Sequence, residues 1–134
     1  MPHLIIEYTA NLEPQLQLPP LIEALHNTAA VIEAFPLAGL RTRAERRDHY
    51  RIADGNAHNA FVHLTLRIAH GRSVEVRKAA GDLLFAALCR ELQPLLEKRP
   101  IAVSFEISEI DPVLNYKGGN IREYMTKRGT GTTP

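Results

Sequence analysis

The chain has 134 residues and a formal net charge of +1, with 45% hydrophobic and 23% charged residues. This length fits one domain or two small repeats around one core. The near-zero net charge excludes an overall positive electrostatic field that would attract nucleic acid or an anionic membrane. One cysteine excludes an internal disulfide. Because no signal-like segment or run near ~20 apolar residues is present, the sequence predicts a cytoplasmic protein with no membrane partner.

The first half of the chain is typical of a β-α-β unit. Residues 2–9 are short, apolar and β-rich, which favours a buried strand. Pro19 and Pro20 indicate the start of a helix whose apolar spacing continues to Ile32, and Pro36 is expected to stop it. Residues 40–52 are predicted to be extended and to end in a turn at residues 54–56.

The second half repeats this order. Phe61 to Ile68 alternates like a half-buried strand, and Ser73 is a candidate N-cap for the helix that follows Gly71-Arg72-Ser73. Pro100 bounds that helix, and Ile101 to Ile110 alternates as another strand. A second β-α-β unit is therefore predicted.

Two such repeats, about 2–56 and 57–112, predict an α+β fold with one four-stranded sheet and both helices on one face. A single domain is expected over residues 1–125, followed by a flexible tail over 126–134. The other sheet face also carries apolar residues, Ile5 and Phe61 among them. One helix layer cannot cover both faces, so we expect a homo-oligomer.

Pro2 is a candidate general base. An initiator Met before a residue as small as Pro is usually removed by aminopeptidases, which would leave Pro2 with a free secondary amine. An α-amino group titrates near ~8, so it is partly neutral at physiological pH and suits base catalysis. Pro2 alone is weak support, because Pro follows the start codon in many proteins with no chemistry there.

Arginine is the strongest local signal. Five arginines fall within eleven residues of the second predicted strand, namely Arg41, Arg43, Arg46, Arg47 and Arg51. At the two-residue period of a strand, all but Arg46 share one face. They need counter-charges, from Glu45 and Asp48 or from an anionic ligand, since the guanidinium fork binds carboxylates bidentately. For the outer three, a solvated basic edge is the favoured interpretation.

Arg41 and Arg72 differ from the rest by position. Arg41 begins its strand after the Gly39 turn, and Arg72 lies at a helix start where free N–H groups favour an anion. Each could contact a ligand or be a surface charge. The six histidines show no metal-binding spacing, so no metal is expected.

Several blocks, in order over about residues 2–125, resemble the 5-carboxymethyl-2-hydroxymuconate Δ-isomerase family of the tautomerase superfamily. They are Met1-Pro2-His3, residues 35–43, Ala53-Asp54-Gly55, residues 61–66, Gly71-Arg72-Ser73, residues 104–107 and Leu114-Asn115-Tyr116-Lys117. The resemblance implies two β-α-β repeats assembled as a homotrimer. It also implies cofactor-free ketonisation of a dienol tricarboxylate in aromatic compound breakdown.

Carried onto matching positions, the resemblance implies that Pro2 is the catalytic base and that Arg41 and Arg72 are its charged partners. Arg43 is added as a substrate-binding residue of the same strand. The small-molecule partner is then an anionic substrate. Two other functions stay open, a tautomerase of another enol acid and a non-catalytic trimer that binds an anionic metabolite. Only the basic strand supports a nucleic-acid-binding module, and the net charge argues against one.

Overall fold

The computed structural model describes residues 1–130 of the chain. Within them, the strands and helices are β1 (His3–Thr9), α1 (Leu18–Ala30), β2 (Arg41–Arg47), β3 (Ala60–Ala69), α2 (Val74–Leu96), β4 (Ile101–Ile110) and α3 (Ile121–Lys127). Short 3₁₀ turns lie at Ala10–Leu12 and Leu37–Gly39.

The four strands form one sheet in the order β2-β1-β3-β4. β1 pairs in parallel with β2, and β3 pairs in parallel with β4. The two parallel pairs meet where β1 and β3 run antiparallel. Each parallel pair is joined by one long helix, so the predicted pair of β-α-β units is confirmed.

One face of the sheet forms the core. Leu4 of β1 lies opposite Leu66 of β3, and Ile6 lies opposite Leu64; all four side chains are fully buried. α1 and α2 pack on this face and on each other. The helices contribute buried residues at helical spacing, Leu21 and Leu25 from α1 and Leu84, Leu88 and Leu92 from α2.

The opposite face is uncovered by the helices and mixes charge with apolar surface. Its cross-strand rows are Arg41-His3-Arg67, Arg43-Ile5-Thr65 and Glu45-Glu7-His63. Ile5 and Phe61 are half-buried on this face. As the sequence predicted, the face is not fully polar.

α1 ends earlier than its sequence indicated. The helix stops at Ala30, six residues before Pro36, and the β-branched pair Val31-Ile32 follows. The chain then makes tight turns in which the Phe35 N–H donates to the carbonyl oxygen of Ile32 at 3.0 Å. These turns bury Phe35 to 4% exposure, so core packing replaces the last helical turns.

Arg51 does not share the face of Arg41 and Arg43. β2 ends at Arg47, and Arg51 lies instead over the turn at residues 54–56. Gly55 has a φ of +83° there, and a Cβ at Gly55 would lie 2.5 Å from Nη2 of Arg51. The prediction that Arg51 belongs to the strand was wrong because the chain leaves the sheet before it.

α3 was not predicted from the sequence. It extends two residues past the expected domain end at 125, and its Met125 is buried. α3 packs against the 3₁₀ turn Leu37–Gly39. The flexible tail predicted for 126–134 thus begins with helical residues, and 131–134 lie outside the described residues. Within residues 1–130, no helix is long and apolar enough to cross a membrane. The cytoplasmic location stays a prediction.

Candidate active site

Four chain segments meet at one end of the sheet. β1 and β2 begin at this end, and β3 and β4 finish there because they run antiparallel to β1. The chain start, the start of β2, the residues that follow β3 and the residues that follow β4 are therefore brought together. The sheet topology alone therefore brings residues that are distant in sequence together at this end of the sheet.

A cavity of about 390 Å³ opens at this end. Its lining residues are Met1, Pro36, Ala38, Gly39, Arg41, Lys117, Gly118, Gly119, Asn120, Ile121 and Arg122. The volume falls in the ~300–1,000 Å³ range of small-molecule sites. Its charged lining residues are all cationic, which suits an anionic ligand.

The N-terminus lies in this cavity. Pro2 is buried, and its carbonyl oxygen accepts a hydrogen bond from the Arg41 N–H at 3.1 Å. With Met1 attached, the Pro2 nitrogen is an amide, and the free amine is that of Met1. Burial, followed by the positive charges of Lys117, Arg72 and Arg41, lowers the pKa of this amine from its ordinary 8.0.

Gly39 allows the N-terminus to lie this deep. A Cβ at Gly39 would stand 3.2 Å from the Met1 Cα and 3.8 Å from the Pro2 Cδ. The first distance is too short for ordinary packing, so a larger residue here would press on Met1. The sequence predicted a turn at Gly39, and the structure adds a close approach as a second reason for glycine.

Arg41 and Arg43 both contact His3. Nη1 of Arg41 lies 3.3 Å from Nε2 of His3, and Nη1 of Arg43 lies 3.2 Å from its Nδ1. Burial, then the charges of Arg43, Arg41 and Arg67, lowers the pKa of His3. A neutral imidazole has one acceptor nitrogen, so His3 accepts a hydrogen bond from only one guanidinium at a time. Its ring separates the two cations. Arg41 lines the cavity, whereas Arg43 is absent from its lining.

Arg72 is fixed in the wall behind the site. Its Nε and Nη2 donate to the carbonyl oxygen of Ala34, and Nη1 donates to that of Ala69 at 3.3 Å. The side chain is half-buried and does not line the cavity, although its charge acts on the amine. The predicted N-cap is confirmed, since the Ser73 hydroxyl accepts from the Val76 N–H at 3.2 Å.

Arg46 and Arg47 have carboxylate partners away from the cavity. Arg46 pairs with Glu13 at 2.9 Å and with Asp48 at 3.1 Å. Arg47 pairs with Glu7 and Glu45, both at 2.7 Å. Glu45 and Asp48 therefore supply the counter-charges that the sequence suggested, and the structure places both arginines on an exposed edge of the sheet.

Sequence reasoning missed the contributions of His3 and Lys117 to this site. The histidines were considered only as metal ligands, although His3 directly follows Pro2 on a strand. No role was predicted for Lys117 or for Gly118 and Gly119, and all three line the cavity. No sequence signal indicated the position of Lys117, because the strand order that brings the end of β4 to the chain start was not predicted. In the described part of the chain, no group of three or more His, Cys, Asp or Glu side chains could hold a metal ion.

Comparison with known proteins agrees with this architecture. The family model described as 5-carboxymethyl-2-hydroxymuconate isomerase matches residues 2–125. A 5-carboxymethyl-2-hydroxymuconate Delta-isomerase of Escherichia coli is 42% identical over 90% of this chain and 96% of its own length.

Two solved structures are similar over most of the chain. One, from Deinococcus radiodurans R1, is a 5-carboxymethyl-2-hydroxymuconate isomerase with 42% identity and a TM-score of 0.84, and the match covers 90% of each chain. Another 5-carboxymethyl-2-hydroxymuconate delta-isomerase shows 31% identity and a TM-score of 0.88 over 93% of each chain. A more distant structure, a fused 4-OT symmetric trimer, shares the fold at 21% identity and a TM-score of 0.58 over 88% of this chain and 92% of that one.

Proposed function

Because this chain belongs to the 5-carboxymethyl-2-hydroxymuconate isomerase family, we propose that it ketonises the dienol of 5-carboxymethyl-2-hydroxymuconate to its conjugated oxo isomer. This substrate is a tricarboxylate. One observation carries the proposal, namely that the chain start and Arg41 share a cavity whose charged lining residues are cationic. Removal of Met1 would leave the Pro2 amine at this chain start, next to cations that can hold anionic charge.

The base is the secondary amine of Pro2 after removal of Met1. It takes the proton from the enol hydroxyl and returns a proton to carbon further along the conjugated chain. One C–H bond forms, one O–H bond breaks, and no electron acceptor is required, so no cofactor is included. Pro2 is buried beside the cations that act on the Met1 amine, and those cations favour the neutral form of its amine.

Arg41 is the cation we assign to direct contact with substrate. Its guanidinium can hold a carboxylate bidentately beside Pro2 and stabilise the delocalised dienolate that forms between the two proton transfers. Arg72 supplies charge from the wall, where the carbonyl groups of Ala34 and Ala69 hold it. Arg43 acts through His3, because it contacts the imidazole that also contacts Arg41.

We infer that the working form is a homotrimer. The open sheet face carries half-buried Ile5 and Phe61, and a protein of the same fold forms a symmetric trimer. Ile5→Glu would place a carboxylate in the middle of this face and should shift the mass measured by light scattering toward the monomer. The control is Arg90→Glu, because Arg90 is exposed on α2, away from this face. Thr42→Glu would be unsuitable, because Thr42 contacts His26.

The test of the proposed function is a spectrophotometric assay of ketonisation with the carboxymethyl hydroxymuconate dienol. Protein freed of Met1 should accelerate loss of the dienol absorbance well above the buffer rate. A panel of other enol acids separates this reaction from that of a different tautomerase. Binding of the dienol without turnover would instead support the non-catalytic trimer that holds an anionic metabolite.

A further inference from the structure

The segment between β4 and α3 lines the cavity together with Met1. At its start, the Asp111 carboxylate accepts hydrogen bonds from the N–H groups of Val113 and Leu114 at 2.8 and 2.9 Å, and the chain bends there as β4 ends. At its end, Gly119 adopts a φ of +112° just before α3. α3 is held by packing on the 3₁₀ turn Leu37–Gly39. Both ends of the segment are fixed, and Lys117 lies between them in the lining of the cavity.

Lys117 differs from Arg41 and Arg72 in its surroundings. Arg41 contacts His3, and Arg72 donates to the carbonyl groups of Ala34 and Ala69. Within residues 1–130, Lys117 makes no ion pair or hydrogen bond, and its side chain is exposed. Among the charges that act on the N-terminal amine, that of Lys117 has a larger effect than that of Arg72 or Arg41. An exposed ammonium group without a counter-charge, beside a cavity, is suited to bind a ligand carboxylate.

The substrate offers a carboxylate that the residues assigned so far do not bind. The enol oxygen and its neighbouring carboxylate must lie beside Pro2 and Arg41 for proton transfer to occur. The carboxymethyl arm branches from the far end of the conjugated chain, on the carbon that receives the returned proton, so it lies further from Arg41 than the enol oxygen and its carboxylate do. A third cation at the cavity wall can therefore recognise the arm without taking part in the proton transfer.

We propose that Lys117 is a specificity-determining residue, whose ammonium group binds the carboxylate of the carboxymethyl arm and so selects a tricarboxylate over a dicarboxylate of the same frame. This inference rests on the proposed function. Lys117 transfers no proton itself, so apart from its influence on the pKa of the base, its effect belongs to the choice between substrates.

The experiment compares two substrates and three variants. The substrates are the carboxymethyl hydroxymuconate dienol and 2-hydroxymuconate, which lacks the arm. The variants are Lys117→Gln, Lys117→Arg and the control Lys98→Gln, which removes the same charge from an exposed lysine near the start of β4, at the opposite end of the sheet. Measurements on the alkaline plateau of each protein's own pH profile keep the base neutral, so that a change in its pKa does not affect the comparison.

We expect Lys117→Gln to lower kcat/KM for the tricarboxylate about tenfold through KM, which is the size of one charge-assisted contact. The value for 2-hydroxymuconate should stay within about twofold, and Lys117→Arg should keep most of the selectivity. Lys98→Gln should match the unaltered chain with both substrates.

Two results would overturn the inference while leaving the proposed function intact. In the first, the unaltered chain turns over the tricarboxylate and Lys117→Gln leaves the selectivity between the two substrates unchanged. The other is an equal loss with both substrates, because Lys117 would then act on a group the two share. An unaltered chain inactive on both dienols would instead overturn the proposed function itself.

Discussion

The backbone N–H of Arg41 donates a hydrogen bond to the carbonyl oxygen of Pro2 at 3.1 Å. This bond precedes the parallel ladder of β1 and β2, in which His3 is paired with Arg41. The proposed base and the proposed substrate-binding cation are therefore placed relative to each other by main-chain pairing. Rigid placement of this kind is what a proton transfer to a bound substrate needs.

Arg41 and Arg72 should respond differently to truncation. Arg72→Ala leaves the carbonyl groups of Ala34 and Ala69 without their donors, so we expect the free energy of unfolding to fall by about 1–3 kcal/mol. Arg41→Ala removes an exposed side chain and should change that free energy by less than about 0.5 kcal/mol. Urea unfolding of both variants measures the contrast.

Kinetics of the same variants complete the comparison. Arg41→Ala should lower kcat/KM about a hundredfold, the usual loss for one donor to a developing oxyanion. Arg90→Ala, a change on the exposed face of α2, is the control. Unchanged kinetics in both Arg41→Ala and Arg72→Ala would refute the assignment of these arginines to the site.

The pH dependence of kcat/KM should report a base with a lowered pKa. Burial, then Lys117, Arg72 and Arg41, lowers the pKa of the Met1 amine, and we expect the same cations to act on the Pro2 amine once Met1 is removed. A base must be neutral to act, so activity should fall as pH drops through a midpoint below the ordinary α-amino value of ~8. Lys117→Gln should move this midpoint upward, whereas Lys98→Gln should not. A midpoint at or above ~8 in the unaltered chain would argue against the cationic surroundings of the base.

His3 should make the fold less stable in mild acid. Burial and the nearby arginines lower its pKa, so below its ordinary value of 6.5 the unfolded chain binds more protons than the folded chain. Stability from this group is complete above about pH 6.5 and is lost as pH falls toward the folded pKa. His3→Gln removes the titrating group, so it should lose less unfolding free energy between pH 7.5 and pH 5.5 than the unaltered chain does. Equal losses in urea unfolding would show that His3 is not under this constraint.

Much of the fold could be predicted because the strands follow simple patterns. Along β3 every second residue is buried and those between are half-buried or exposed, and Ser73 caps the helix that follows. Both are local signals. The end of α1 is not set by a local signal, because burial of Phe35 decides where the helix stops. α3 was missed for a similar reason, because its contact with Leu37–Gly39 joins positions far apart in sequence.

The site was predictable only in part. Pro2 and Arg41 could be identified from their sequence positions. Pro2 directly follows the initiator Met, and Arg41 is the first residue of a strand after Gly39. The anchoring of Arg72 to Ala34 depends on a loop whose path no pattern revealed. The position of Lys117 depends on the turn at Asp111, where a side chain and not a ladder directs the chain. Long-range placement of loop residues was therefore what sequence reasoning could not supply.

The central claim is that the amine of Pro2 is the base, and Met1 provides its most direct test. Two preparations of this chain, one freed of Met1 and one made while methionine removal is inhibited, can be verified by intact mass. Their turnover of the carboxymethyl hydroxymuconate dienol is then compared at equal concentration. We predict activity in the chain freed of Met1 and a loss of at least about a hundredfold in the other, since an amide nitrogen has no basic lone pair. Equal turnover in the two preparations would contradict it.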